Sequence, residues 1–165
     1  MQLKSVVGMD YSILRDLLIA GKWKEADQET KRVMLCVGKR EEDGWLDTGI
    51  IDNFPCEDLR TIDNLWLKYS NERFGFSVQK KIYEGLGGRG RIMDYHLTIM
   101  EGFGEKVGWK KEGNWLYYAD ITFDITAPKG HLPVEVLWME YEVWRLYFAM
   151  KGVSSLTSRL AECQI

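Results

Sequence analysis

The sequence predicts a mainly α-helical protein. Two observations carry that reading: apolar residues recur at helical spacing in several separate stretches, and glycine or proline punctuates the intervals between them. A third observation runs against it, an alternation around residues 121–125 that taken alone argues for a β-strand.

The elements follow in order. Tyr11, Leu14, Leu17 and Leu18 share one helical face within residues 10–20, and Gly21 is a stop signal. Trp23, Ala26, Thr30, Val33 and Val37 resume the spacing over residues 22–37, so the short break at Gly21 predicts a helical hairpin. Gly38 to Gly44 is charged and turn-like. Asn53-Phe-Pro55-Cys-Glu-Asp58 reads as a helix start, because proline near the first helical position and acids in the first turn both suit the N-terminal dipole. Leu59, Ile62, Leu65, Trp66 and Tyr69 then form the clearest amphipathic stripe in the chain, with Asn71 at its end. A shorter helix is expected to carry Val78, Ile82 and Leu86, closed by Gly85, Gly87 and Gly88. Residues 88–114 are glycine-rich and charged and define no clear element. Ile121, Phe123 and Ile125 alternate with Thr122, Asp124 and Thr126, which is the strand pattern, and Ala127 to Pro133 reads as a loop. Val134, Leu137, Trp138, Tyr141, Trp144 and Phe148 fall at helical spacing, and in residues 154–164 Leu156, Leu160 and Cys163 face inward with Arg159 beside them.

The 165 residues suffice for one domain with a core, burying roughly 70% of the unfolded surface. Nothing resembles a linker, so residues 1–165 are read as a single domain. The net charge of −3, with bases interspersed among acids, gives no electrostatic reason to expect nucleic acid. Cys36, Cys56 and Cys163 are odd in number and far apart, a pattern that favours a reducing compartment over a disulfide framework. No secretory signal is visible. The richest apolar stretch, Val134 to Met150, contains Glu135, Glu140, Glu142 and Arg145, so it is not a transmembrane helix and a soluble protein is expected.

The usual signatures of chemistry are missing. There is no Cys-x-x-Cys or His-x-x-x-His pair for a metal and no Gly-x-Ser-x-Gly for a nucleophile. Cys56 at a helix start reads as a packing residue. The run Gly85-Leu-Gly87-Gly88-Arg-Gly90 follows a helix rather than a strand, so it reads as a helix stop and not as a phosphate loop. The expectation is a binding protein rather than an enzyme, with no catalytic and no metal residues. What the chain offers is aromatic surface: seven Trp, eight Tyr and six Phe. Residues 109–148 hold Trp109, Trp115, Tyr117, Tyr118, Phe123, Trp138, Tyr141, Trp144, Tyr147 and Phe148, interrupted by glycine and proline so that they cannot all belong to one core element. Such a surface suits a flat apolar ligand with acidic substituents.

Several long motifs carry a resemblance. Gly21-Lys-Trp23-Lys-Glu-Ala-Asp27, Phe54-Pro-Cys56-Glu-Asp-Leu-Arg-Thr-Ile-Asp63-Asn-Leu-Trp66 and Tyr69-Ser-Asn-Glu-Arg-Phe-Gly-Phe-Ser-Val-Gln-Lys-Lys-Ile-Tyr83 resemble the genomes-uncoupled-four domain. So do Val107-Gly-Trp109, Thr122-Phe-Asp-Ile-Thr-Ala-Pro-Lys-Gly-His-Leu-Pro133 and Ser154-Ser-Leu-Thr-Ser-Arg159-Leu. The similarity runs in order from about residue 11 to residue 165. It implies an all-α domain shaped like a cupped hand, with a greasy concavity walled by long loops, and it turns the strand expected at 121–125 into extended loop. It also implies a regulator that binds protoporphyrin IX and its magnesium form and stimulates magnesium chelatase through that enzyme's large porphyrin-binding subunit. A bilin, with similar apolar area and the same two propionates, is the alternative ligand. The implied setting is cyanobacterial cytoplasm or chloroplast stroma, as a monomer, and peripheral membrane association is compatible with that role. Relatives carry an N-terminal helical bundle or a C-terminal extension with a phosphorylation site, and neither is expected here. Val134 to Lys151 corresponds to a variable loop.

The expected site residues are Phe74 and Phe76 on the rigid side of the cup and Arg159, at the family's matching arginine, facing a propionate. Leu132, Trp138, Tyr141 and Trp144 are expected to form or border a movable lid, because Trp138, Tyr141 and Trp144 share spacing on one face yet lie between Pro133 and Gly152, where a segment can hinge; a short amphipathic helix closing the core is the alternative. A porphyrin of roughly 40 non-hydrogen atoms, at about −0.3 kcal/mol each, reaches on the order of −12 kcal/mol, so nanomolar binding needs neither a covalent bond nor an axial ligand.

Overall fold

The computed structural model describes residues 1–89, 96–137 and 145–165. Among them the helices are α1 (Ser12–Ile19), α2 (Trp23–Gly38), α3 (Thr48–Asp52), α4 (Cys56–Tyr69), α5 (Phe76–Gly85), α6 (His96–Val107) and α7 (Arg145–Glu162). A two-stranded antiparallel ribbon, β1 (Lys110–Lys111) and β2 (Asn114–Trp115), pairs Lys110 with Trp115. Short 3-10 turns cover Tyr118–Asp120 and Glu135–Leu137. The fold is all-α in character, as expected.

The hairpin of α1 and α2 forms as the sequence predicts. Gly21 takes φ +67°, its N–H reaches the carbonyl of Leu18, and the Lys22 N–H reaches that of Leu17, which closes the turn. Tyr11, Leu14 and Leu18 point inward with Ala26, Val33 and Val37. Helix α4 starts directly after Pro55, and its stripe of Leu59, Ile62, Leu65 and Trp66 is fully buried. Asp58, in its first turn, also faces inward. Its carboxylate accepts hydrogen bonds from the Ser5 hydroxyl, the Val6 N–H at 3.0 Å and the Tyr11 hydroxyl at 2.8 Å, fastening the N-terminal segment to α4.

Four expectations are corrected. Helix α5 buries Phe76, Gln79 and Tyr83, leaving Val78 and Ile82 half-buried, because the Gln79 amide is needed inside by backbone carbonyls of a neighbouring loop. Residues 88–114, which defined no element, contain α6 and the ribbon. Met100, Phe103 and Val107 form a short buried stripe on α6, diluted in the sequence by Gly102 and Gly104. Gly104 is required there, since a Cβ would stand 2.4 Å from the Trp115 ring. Gly152 is no hinge: it lies inside α7, where a Cβ would stand 3.0 Å from Leu137. Finally, Cys56 and Cys163 form a disulfide across 107 residues, with Cα atoms 5.3 Å apart. The sequence could not show this, because only the packing of α7 along α3 and α5 brings the last turn of α7 to the start of α4. Residues 116–126 are irregular apart from the turn at Tyr118–Asp120, so the strand pattern there does not become a strand.

The buried side chains of the described residues form one continuous core. Its centre is aromatic. Phe74 meets Trp23 edge-on at 5.5 Å and Trp66 at 6.4 Å, while Tyr83, Phe103 and Trp109 form a second edge-on series at 5.8 and 5.4 Å. These offset geometries are the ones that ring quadrupoles favour. No described helix is long and apolar enough to cross a membrane.

Candidate functional site

Buried polar side chains from separate helices grip the loop that runs from residue 121 to residue 135. Asp27, on α2, is enclosed. One carboxylate oxygen accepts the Val134 N–H at 2.7 Å, and the other accepts the Glu135 N–H at 3.1 Å and the Tyr118 hydroxyl at 3.0 Å. Gln79, on α5, donates to the carbonyls of Gly130 at 2.9 Å and Pro133 at 2.7 Å. Trp109 donates its indole N–H to the carbonyl of His131 at 2.8 Å. Arg73 donates Nε–H to the carbonyl of Ala127 at 2.6 Å, and the N–H of Gly130 returns to the carbonyl of Arg73 at 2.9 Å. Gly130 has φ +75°, and a Cβ there would stand 3.0 Å from Ile82, so glycine is needed on both counts. The Leu132–Pro133 peptide is cis.

His131 is part of the same clasp. Its Nδ1 lies 2.6 Å from the carbonyl of Val107, so Nδ1 carries the proton, and Nε2 accepts the Thr122 N–H at 3.1 Å. Both nitrogens are committed to the neutral ring, and burial lowers the affinity of this imidazole for a second proton. His131 is therefore a fastening and not a free base. Asp63 plays a comparable part under α5, where it accepts the Ser77 N–H at 2.8 Å, and burial raises its pKa.

Asp27 is raised from 3.8 to about 7, with burial the largest cause and the donors of Val134, Tyr118 and Glu135 opposing it. A proton on Asp27 can be shared with Tyr118, whose hydroxyl stands 3.3 Å from Glu135 Oε2 and can donate there instead. Since the folded value exceeds the unfolded one, the folded state takes up a proton between them. The contribution is fully present below about 4 and is lost as pH rises through about 7. Asp27→Asn, which cannot titrate, is expected to cost more stability at pH 4.5 than at pH 8 in denaturant titrations. An equal cost at both values would contradict this reading of Asp27.

The result is a stiff shelf ending at Leu137, and Leu137 seats against Gly152 of α7. Both flanks of residues 138–144 are thus fixed by described structure. Of the site residues expected from the sequence, Trp138, Tyr141 and Trp144 lie outside the described residues. Phe74, Phe76 and Leu132 are brought together and are fully buried, with the Gly75 N–H donating to the carbonyl of Leu132 at 3.0 Å. They stiffen the wall behind the shelf. Arg159 stands elsewhere: its Nε donates to the carbonyl of Phe54 at 2.8 Å and its Nη1 pairs with Glu162 at 3.0 Å. Phe54 precedes α4, whereas Phe76 begins α5 beside Asp63, roughly two to three helical turns further along. Asp27, Gln79 and Tyr118, which do most of the clasping, were missed as functional positions. The available signal was a polar residue on an otherwise apolar helical face, as at Asp27 one residue after Ala26.

Such a fold defines a class of protein: a helical scaffold that spends its buried polar groups on holding long loops in place. Comparison narrows the class. A family model described as GUN4-like matches residues 4–149. A Ycf53-like protein of Synechocystis sp. is 33% identical over 135 residues, covering 80% of this chain and 54% of that protein. The chloroplastic tetrapyrrole-binding protein of Arabidopsis thaliana is 35% identical over 75 residues, 44% of this chain and 28% of that protein. The solved structure of GUN4 from Chlamydomonas reinhardtii superposes with a TM-score of 0.75 at 26% identity, covering 96% of this chain and 93% of that one. The chain belongs to the GUN4-like, or genomes-uncoupled-four, family. It spans about half the length of the curated relatives it matches.

Proposed function

We propose that this chain is a non-catalytic tetrapyrrole-binding protein that takes protoporphyrin IX and its magnesium form and stimulates magnesium chelatase through the enzyme's large porphyrin-binding subunit. The observation that carries the proposal is membership of the GUN4-like family across residues 4–149, joined to the 35% identity with a protein named for tetrapyrrole binding. The geometry supports a binding role. Asp27, Asp63 and His131 direct their buried polar atoms at backbone N–H and carbonyl groups and so hold loops and helix starts in place. In this reading Trp138, Tyr141 and Trp144 cover the faces of the macrocycle, and Phe74, Phe76 and Leu132 form the unyielding floor behind them. The protein works in cyanobacterial cytoplasm or plastid stroma.

Arg159 is the proposed partner of a propionate. Its pair with Glu162 is partly exposed and is worth about 0–1 kcal/mol, so a ligand carboxylate can replace Glu162 at little cost. Arg159→Ala is expected to weaken porphyrin binding by about 1.5–3 kcal/mol. Unchanged affinity in the folded variant would remove Arg159 from the site. The chelatase role is tested by adding the chain to reconstituted magnesium chelatase at limiting protoporphyrin IX. Faster magnesium insertion is expected, and an unchanged rate across a range of porphyrin concentrations would contradict the role. Titrating a bilin alongside reports which tetrapyrrole the site prefers.

A further inference from the structure

We propose that the Cys56–Cys163 bond is a thiol–disulfide exchange site, opened by a dithiol reductant, that sets how firmly the C-terminal end of α7 is anchored. The bond joins the first residue of α4 to the residue just after α7. Cys163 is buried at 5% exposure while Cys56 is partly exposed, so of the two residues Cys56 is the more open to an incoming thiolate. A single bond beside an unpaired third cysteine, Cys36, is also unlike the dense frameworks that hold small secreted domains together.

The exchange balances as follows. A thiolate of the dithiol attacks Cys56 Sγ, the S–S electron pair passes to Cys163 Sγ, and that sulfur leaves as a thiolate and takes a proton from water. The second thiol of the reductant, deprotonated, then attacks its own sulfur in the mixed disulfide and expels the Cys56 thiolate, which is protonated in turn. Two electrons and two protons pass to the protein, and the dithiol becomes a disulfide.

Opening the bond leaves the rest of the anchor in place. Arg60 donates to the carbonyl of Cys163 at 2.6 Å, Arg159 to that of Phe54 at 2.8 Å, and Val153, Leu156 and Leu160 remain in the core. Local opening of the last turns therefore becomes more frequent without loss of the fold. Because α7 also carries Gly152 against Leu137, its anchoring bears on the end of the shelf.

The test uses Cys36→Ser, so that every thiol counted belongs to the pair. The oxidised protein should show no reactive thiol, and treatment with dithiothreitol under native conditions should expose two. Helical circular dichroism should persist, while amide exchange over residues 153–165 accelerates about tenfold or more and that of α1 and α2 does not. Reoxidation should reverse the change. Cys163→Ser should reproduce the reduced pattern without any reductant. A bond that resists dithiothreitol until denaturant is added would overturn the proposal. So would unfolding of the whole chain on reduction, or exchange over 153–165 that is the same in both states.

Discussion

Trp66→Ala is expected to lose about 3–5 kcal/mol of folding stability. Trp66 is fully buried on α4, and its indole N–H donates to the Thr30 hydroxyl of α2 at 2.9 Å. Thr30 in turn donates to the carbonyl of Ala26 at 2.8 Å, so the truncation leaves a buried hydroxyl short of a partner as well as a cavity. Trp23, whose ring centroid lies 6.2 Å away, and Phe74 lose their neighbour at the same time. The surrounding helices cannot collapse into the space without disturbing the wall that supports Gly75 and Leu132. Urea denaturation checks the expectation, and a loss below about 1 kcal/mol would mean the site is far more compliant than its packing implies.

The second large effect is on binding. Trp138→Ala and Trp144→Ala are each expected to weaken tetrapyrrole binding by about 2 kcal/mol or more, as truncation of a buried aromatic anchor does. Both variants should spare the fold, because the shelf before them is held by Asp27, Gln79 and Trp109. Melting and porphyrin affinity measured on the same samples separate the two roles. If both variants instead lose about 3–5 kcal/mol of stability while the folded fraction binds normally, Trp138 and Trp144 are core residues.

The contrast between Trp66 and Trp138 shows what the sequence could express. Periodicity reports burial against one continuous face, so the stripe of Leu59, Ile62, Leu65 and Trp66 was legible from spacing alone, and so was the hairpin at Gly21. Helix α6 was not, because Gly102 and Gly104 thin its apolar face, and the Trp115 ring that Gly104 admits comes from elsewhere in the chain. The strand pattern at Ile121 to Thr126 misled for a related reason. Alternation needs a partner strand to become a sheet, and here the segment is tied down by side chains: Arg73 on the carbonyl of Ala127 and His131 on the Thr122 N–H.

The site was legible only through resemblance. Nothing in the spacing of Asp27, Gln79 and His131 reveals that the first two reach the loop carrying the third, or that His131 reaches back to Val107, since the pairs they make span 107, 54 and 24 residues. The same holds for Cys56 and Cys163. A count of three cysteines argued against a disulfide, and the packing of α7 brought two of them together regardless. Long-range polar pairing of this kind is written in the fold and not in local pattern.

The central claim is that the chain holds a tetrapyrrole by its apolar faces, and titration of the purified protein with protoporphyrin IX, read by quenching of tryptophan fluorescence, tests it most directly. The account predicts saturable one-to-one binding with a dissociation constant well below about 10 μM, weakened in Trp138→Ala and Trp144→Ala but not in an equally folded surface variant such as Lys129→Ala. Quenching that never saturates, or that is the same for all four proteins, would contradict it.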